Sequence, residues 1–150
     1  MRSPNLATGV TLAPNMNKSR SDNSRLGFST GGALSSRTAM LEEFEALVAV
    51  VSPDATAEAY RRAILEDNVL HKATASNREK TFKFLRRLYA LDPGICLFRE
   101  MRRLQRFAAD DSRLLAGLLA IAREPILRQC LDLVLRTPVG ESLGRQQFEN

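Results

Sequence analysis

From residue 30 onward, apolar residues return at steps of three and four, and no segment alternates polar with apolar residues over a useful length. A period near 3.6 places such residues on one face of a helix, whereas a half-buried strand needs a period of two. The chain is therefore restricted to an all-α fold, and the remaining question is where its helices start and stop. Met40, Leu41, Phe44, Leu47, Val48 and Val51 predict an amphipathic first helix over roughly 32–51, after a turn at Thr30-Gly31-Gly32. Ser52-Pro53 stops it and opens a second helix, with Pro53 suited to the first helical position; this one runs to about Asn68 and buries Ala57, Tyr60, Ile64 and Leu65. Ser76-Asn77-Arg78-Glu79 reads as a capping box for a third helix ending near Leu91, with Leu85, Leu88 and either Phe84 or Leu91 inward. Asp92-Pro93 repeats the cap-and-proline signal for a fourth helix to about Ala109. Asp110 or Asp111 caps a fifth, rich in Leu114, Leu115, Leu118, Leu119 and Ile121, and Glu124-Pro125 begins a sixth that Thr137-Pro138 ends. The fifth and sixth are apolar around much of their circumference and are expected at the centre.

The 150 residues suit one domain, and 44% hydrophobic with 26% charged residues excludes wholesale disorder or a fibrous repeat. The expected organisation is a compact bundle of about six helices over 25–138. A basic arm over 1–24, dominated by Ser, Asn and Pro, is expected to be disordered, and 139–150 to form a weakly ordered tail. Met16 is an alternative natural start. No apolar run is long enough for a membrane span or a secretory leader, so the expected location is cytoplasmic.

The catalytic inventory is thin, and the chain is expected not to be an enzyme and to need no cofactor, metal or small-molecule substrate. His71, the one histidine, falls in a connector and suits a polar or capping role. Cys96 and Cys130 lie on separate helices and read as small core residues. Phosphate-loop, dinucleotide, nucleophile-elbow and zinc-protease motifs are missing.

Charge is the informative quantity. The net +5 divides into +4 over 1–37, −4 over 38–75, +6 over 76–106 and −1 over 107–150. At 100° per residue, Lys80, Lys83, Arg86 and Arg87 fall on one side of the third helix, opposite Leu85 and Leu88. Arg99, Arg102, Arg103 and Arg106 form a stripe on the fourth, opposite Phe98, Met101, Leu104 and Ala108. Such faces suit phosphates, because each contact releases condensed counterions. They also resemble an ordinary solvated surface, with some arginines pairing to Glu42, Glu43 or Glu45. The second and third helices, joined by Val69 to Ala75, read either as a helix–turn–helix with a long connector or as a plain αα-hairpin. In the former the third helix presents Asn77, Arg78, Lys80, Thr81 and Lys83 to a groove.

These residues carry a family resemblance. "LGFSTGGAL" at 26–34, "ILEDNVLHKATASNREKTFKFLRRLYAL" at 64–91 and "LLAGLLAIAREPILRQCLDLVL" at 114–135 together are similar to the BrxA family of bacterial BREX phage-defence systems. The resemblance implies a small all-helical, non-enzymatic protein that binds double-stranded DNA beside other BREX proteins, with a fold similar to the RNA-binding protein NusB. It maps onto Asn68, Lys72, Thr74, Ser76, Lys80, Arg86 and Arg87, and it implies that other members continue past the point where this chain stops. Three readings follow: duplex DNA binding through the third and fourth helices, assembly with an acidic protein partner, and NusB-like RNA binding. Reversing Arg102, Arg103 and Arg106 to glutamate is expected to abolish DNA binding with helicity intact.

Overall fold

The structure, a computed structural model, describes residues 23–28 and 39–148. All regular structure among them is helical: α1 (Leu41–Val50), α2 (Ala57–Leu65), α3 (Ala75–Tyr89), α4 (Cys96–Gln105), α5 (Ser112–Arg123) and α6 (Pro125–Arg136), with a helical turn over 23–26 and a 3-10 turn at Arg145–Phe148. Of the expected arm over 1–24, residues 1–22 lie outside the described residues, as do the Thr30-Gly31-Gly32 turn and the helical residues expected over 32–38, while residues 23 and 24 fall in the helical turn over 23–26.

The six helices occur in the expected order, and most boundaries move inward. Pro53 sits in a turn closed by Ala55 N–H donating to Ser52 O, and α2 starts only after Thr56, whose hydroxyl accepts from Ala59 N–H at 3.3 Å. Asp92 closes an Asx turn, its Oδ1 accepting from Gly94 N–H at 2.8 Å, so Pro93 again precedes the helix instead of opening it. The cap of α3 is Thr74, accepting from Asn77 N–H at 3.1 Å, and Ser76 of the expected capping box lies inside the helix. Pro125 alone takes the first helical position, behind a Glu124 whose carboxylate accepts from Ile126 N–H.

The core gathers Phe44 and Leu47 from α1, Tyr60, Ala63 and Ile64 from α2, and Leu85, Leu88 and Tyr89 from α3. Phe98 and Met101 of α4 and Ala116, Leu119 and Ala120 of α5 complete it. Leu91 is buried and Phe84 half-buried, while Ala57, expected inside, is exposed. Two aromatic contacts fix the helix pairs: Phe44 stacks on Tyr89 at 3.9 Å between centroids, and Tyr60 meets Phe98 edge-on at 5.3 Å. Both phenols also reach backbone, Tyr89 donating to Ala39 O at 2.6 Å and Tyr60 to Ser52 O at 3.2 Å.

Only half of the expectation for the centre holds. α5 packs against α1, α3, α4 and α6 and is the hub. No residue of α6 is fully buried, and its Val134 and Leu135 face outward. Small residues explain the difference. Ala116 and Ala120 let neighbouring helices approach α5 closely, whereas the bulky side chains spread around α6 cannot all point at one neighbour.

Gly117 lies mid-helix in α5, and a Cβ there would meet nothing within 4 Å. Replacing it with alanine should raise unfolding stability by about 0.5–1 kcal/mol, because the glycine costs helix stability without serving packing; a urea melt checks this. Burial raises the phenol pKa of both Tyr60 and Tyr89, with Glu43 and Glu45 adding to the effect at Tyr89. The native values lie above the unfolded ones, so this stability is complete below the free phenol value of about 10 and is lost as pH rises above it. Phenolate absorbance in an alkaline titration should therefore appear together with loss of helicity, and not before it.

Candidate nucleic-acid interface

The connector between α2 and α3 is built by one side chain. Asn68, at φ 52°, accepts from Lys72 N–H at 2.9 Å through Oδ1 and donates to Lys72 O at 3.2 Å through Nδ2. Asparagine tolerates this left-handed backbone better than other non-glycine residues. His71, also left-handed at φ 51°, donates its N–H to Asn68 O at 2.9 Å and so serves a turn. Lys72 itself is half-buried, its ammonium on Glu43 at 3.2 Å, which ties the connector to α1. The connector between α2 and α3 is thus clamped by the Asn68 amide, and Lys72 is already occupied by a carboxylate.

Beyond it, α3 divides cleanly. Leu85, Leu88 and Tyr89 are buried, and Lys80, Lys83, Arg86 and Arg87 are exposed on the opposite side. Lys80, Lys83 and Arg86 form no ion pair with a described residue. Asn77 and Arg78, expected at the groove, are half-buried. Thr81 requires a correction: it is 0% exposed with an unpartnered hydroxyl, because it falls on the core side of the helix beside Leu85, so it presents nothing to a ligand.

The stripe on α4 is different in kind. Arg102 is 4% exposed. Its Nη2 donates to Val48 O at 3.1 Å and Val51 O at 2.7 Å, and its Nη1 to Gln105 Oε1 at 2.8 Å. It thus caps the C-terminal carbonyls of α1, where orphan acceptors and the helix dipole both favour a cation. Arg99 and Arg103 share Glu100, each at 3.0 Å, and the hydrogen bond from Arg99, with Arg103 close by, holds that carboxyl below its ordinary pKa. Arg106 pairs with Asp54 at 2.5 Å. The expected triple reversal of Arg102, Arg103 and Arg106 would therefore break the fold, since it places a carboxylate against the α1 carbonyls.

The acidic segment accounts for the contrast. Glu43, Glu45 and Asp54 pair with Lys72, Arg113 and Arg106, so the carboxylates of α1 and the following turn offset the cations nearest to them and leave α3 out. One exposed group escaped the sequence reading. Phe107 is 86% exposed beside Leu104 at 53%, because α4 ends at Gln105 instead of continuing to Ala109. Leu104, expected on the apolar side, lies within α4 and is nonetheless exposed.

Among the described residues there is no group of three or more His, Cys, Asp or Glu that could hold a metal ion, and Cys96 and Cys130 are half-buried free thiols. No described helix is long and apolar enough to cross a membrane. What remains among the described residues is a small helical bundle in which Lys80, Lys83 and Arg86 of α3 are exposed without an ion pair. A model of the BrxA family matches residues 31–140, across α1 to α6. The chain belongs to the BrxA family, the components of BREX phage-defence systems that the sequence resembles. Neither the curated proteins nor the solved structures offer a match.

Removing the Arg102 guanidinium strands the half-buried carbonyl of Val48 and the buried one of Val51. Arg102→Met should cost about 3 kcal/mol of unfolding free energy, while Arg103→Ala should leave the urea midpoint unchanged. Equal effects of the two would refute the structural role assigned to Arg102.

Proposed function

We propose that this chain is a non-enzymatic, cytoplasmic BREX component that binds double-stranded DNA through the outer face of α3, working with other BREX proteins. The observation that carries the reading is the run of Lys80, Lys83 and Arg86 on one helix face, exposed and without described carboxylate partners. Phosphates take the place of missing counter-charges, and the release of condensed cations supplies the free energy. Asn77 and Arg78 stand at the N-terminal end of the same helix, where a helix–turn–helix protein approaches bases. The paired arginines of α4 contribute less, since Glu100 and Asp54 must first be displaced.

A second reading has its own observation. Phe107, exposed next to Arg103 and Arg106, joins an aromatic ring to arginines, residue types enriched at protein interfaces, and an acidic BREX protein would fit them. The two readings separate by substitution. Lys80→Ala/Lys83→Ala should weaken duplex binding and make the plot of log K against log salt shallower by about 1.8, near 0.9 per lost phosphate contact. Phe107→Ala should leave that slope unchanged and reduce capture of a purified acidic partner. Structured RNA of equal length, run in competition, tests the NusB-like alternative: preference for RNA over duplex DNA would overturn the DNA reading.

A further inference from the structure

A second cationic feature lies on the other end of α3, and it is concave. A cleft of about 1020 Å³ opens where the turn over 23–28 meets the C-terminal end of α3 and the α5–α6 corner, and Arg86, Arg123 and Arg128 line it. The volume is at the upper end of the range for small-molecule sites and exceeds what a bare inorganic anion fills. Asp92 is the one acid among its described lining residues, and its Oδ1 already accepts from Gly94 N–H.

The cleft is assembled by specific contacts. Gly27, at φ +107°, presses against Ile95 so closely that an added Cβ would stand 2.4 Å from Ile95 Cγ2. Arg123 locks the turn in place: its Nη1 donates to Gly27 O, while Nε and Nη2 donate to Arg87 O at 3.3 and 3.1 Å. Those bonds use three of its five N–H groups, leaving two donors with no acceptor among the described residues. All of its partners are neutral carbonyls, and burial lowers its pKa with no carboxylate to offset the loss of water. Arg86, exposed and without an ion pair, brings a second guanidinium to the same rim. Phe28, Ile95 and Ala90 add an apolar patch to the wall, beside the polar side chains of Asn23 and Ser24.

We infer that this cleft binds a nucleoside phosphate, its phosphate on Arg86 and Arg123 and its base against Phe28 and Ile95. Guanidinium forks match phosphate oxygens bidentately, and a base is the flat apolar group that suits an aromatic wall. The phosphate can arrive on a free nucleotide or on the 5′ end of a strand. The site is separate from the proposed duplex face, with Arg86 standing at the junction of the two.

The test is calorimetric titration of the full chain with adenosine monophosphate, adenosine and inorganic phosphate. The monophosphate should bind more tightly than either fragment. Arg86→Glu should weaken it by about tenfold or more, and Phe28→Ala should weaken it several-fold while leaving binding of inorganic phosphate unchanged. Both residues are at the surface, so circular dichroism should report unaltered helicity. Lys80→Glu/Lys83→Glu should impair duplex binding and leave the monophosphate affinity intact; loss of both would assign the effect to diffuse charge and overturn the site. Equal binding of monophosphate and inorganic phosphate, or indifference to Arg86→Glu, would also overturn it. Competition by a 5′-phosphorylated oligonucleotide but not its 5′-hydroxyl counterpart assigns the strand end as ligand, and absence of competition assigns the free nucleotide.

Discussion

The guanidinium of Arg102 holds the bundle's geometry. It lies buried between α4 and the C-terminal end of α1, where it satisfies the carbonyls of Val48 and Val51 and is steadied by Gln105. A buried cation with no carboxylate is costly unless its donors are matched. Here the helix terminus matches Nη2, since its last carbonyls have no partners of their own, and Gln105 takes Nη1, while Nε stays buried without a partner among the described residues. Gln105 in turn donates to Ser112 Oγ at 2.7 Å, so the same network reaches the first residue of α5. Three helices are thereby registered by one side chain, and the other arginines of α4 are carried outward as a result.

That arrangement decides how charge acts on the surface. The acidic segment folds into α1 and the turn after it, and its carboxylates meet Lys72, Arg106 and Arg113. The local excess counted along the sequence is therefore divided in space: the α4 side is largely compensated, while α3 keeps its field. The C-terminal end of α3 is finished in a similar way to that of α1. Arg123 reaches across from α5 to accept the role of partner for Arg87 O, and Ala90 and Leu91 leave the helix in left-handed backbone at φ 71° and 53°. Two helix ends in one small domain are thus capped by arginines from elsewhere in the chain.

Much of the architecture was legible in the sequence, because periodicity reports which residues face inward regardless of partner. Six helices, their order, and Tyr60, Ile64, Leu85 and Leu88 as core follow from it directly. Helix boundaries are ambiguous where proline can serve either a turn or a first helical position; Pro53 and Pro93 take the turn, Pro125 the helix. The burial of Arg102 is hidden from the sequence for a different reason. A residue at the edge of an apolar stripe is exposed or buried according to the neighbouring helix, and the carbonyls that capture it lie about fifty residues earlier. The cleft had no local signal at all, since Phe28, Arg86, Ile95 and Arg123 meet only through the fold. The pattern did point to Lys80, Lys83 and Arg86, whose exposure needs nothing beyond their own helix.

The division of α3 into a buried and a charged side has a consequence for how such a chain can change over time. Both sides are written on a single helical ladder, so removing or inserting one residue within 75–89 would turn everything beyond it by about 100°. Lysines would be driven toward the core and leucines toward water in one event. Point changes along the outer face carry no such coupling. Variation in this helix should therefore arrive as substitution at fixed length, with gaps confined to the segments on either side.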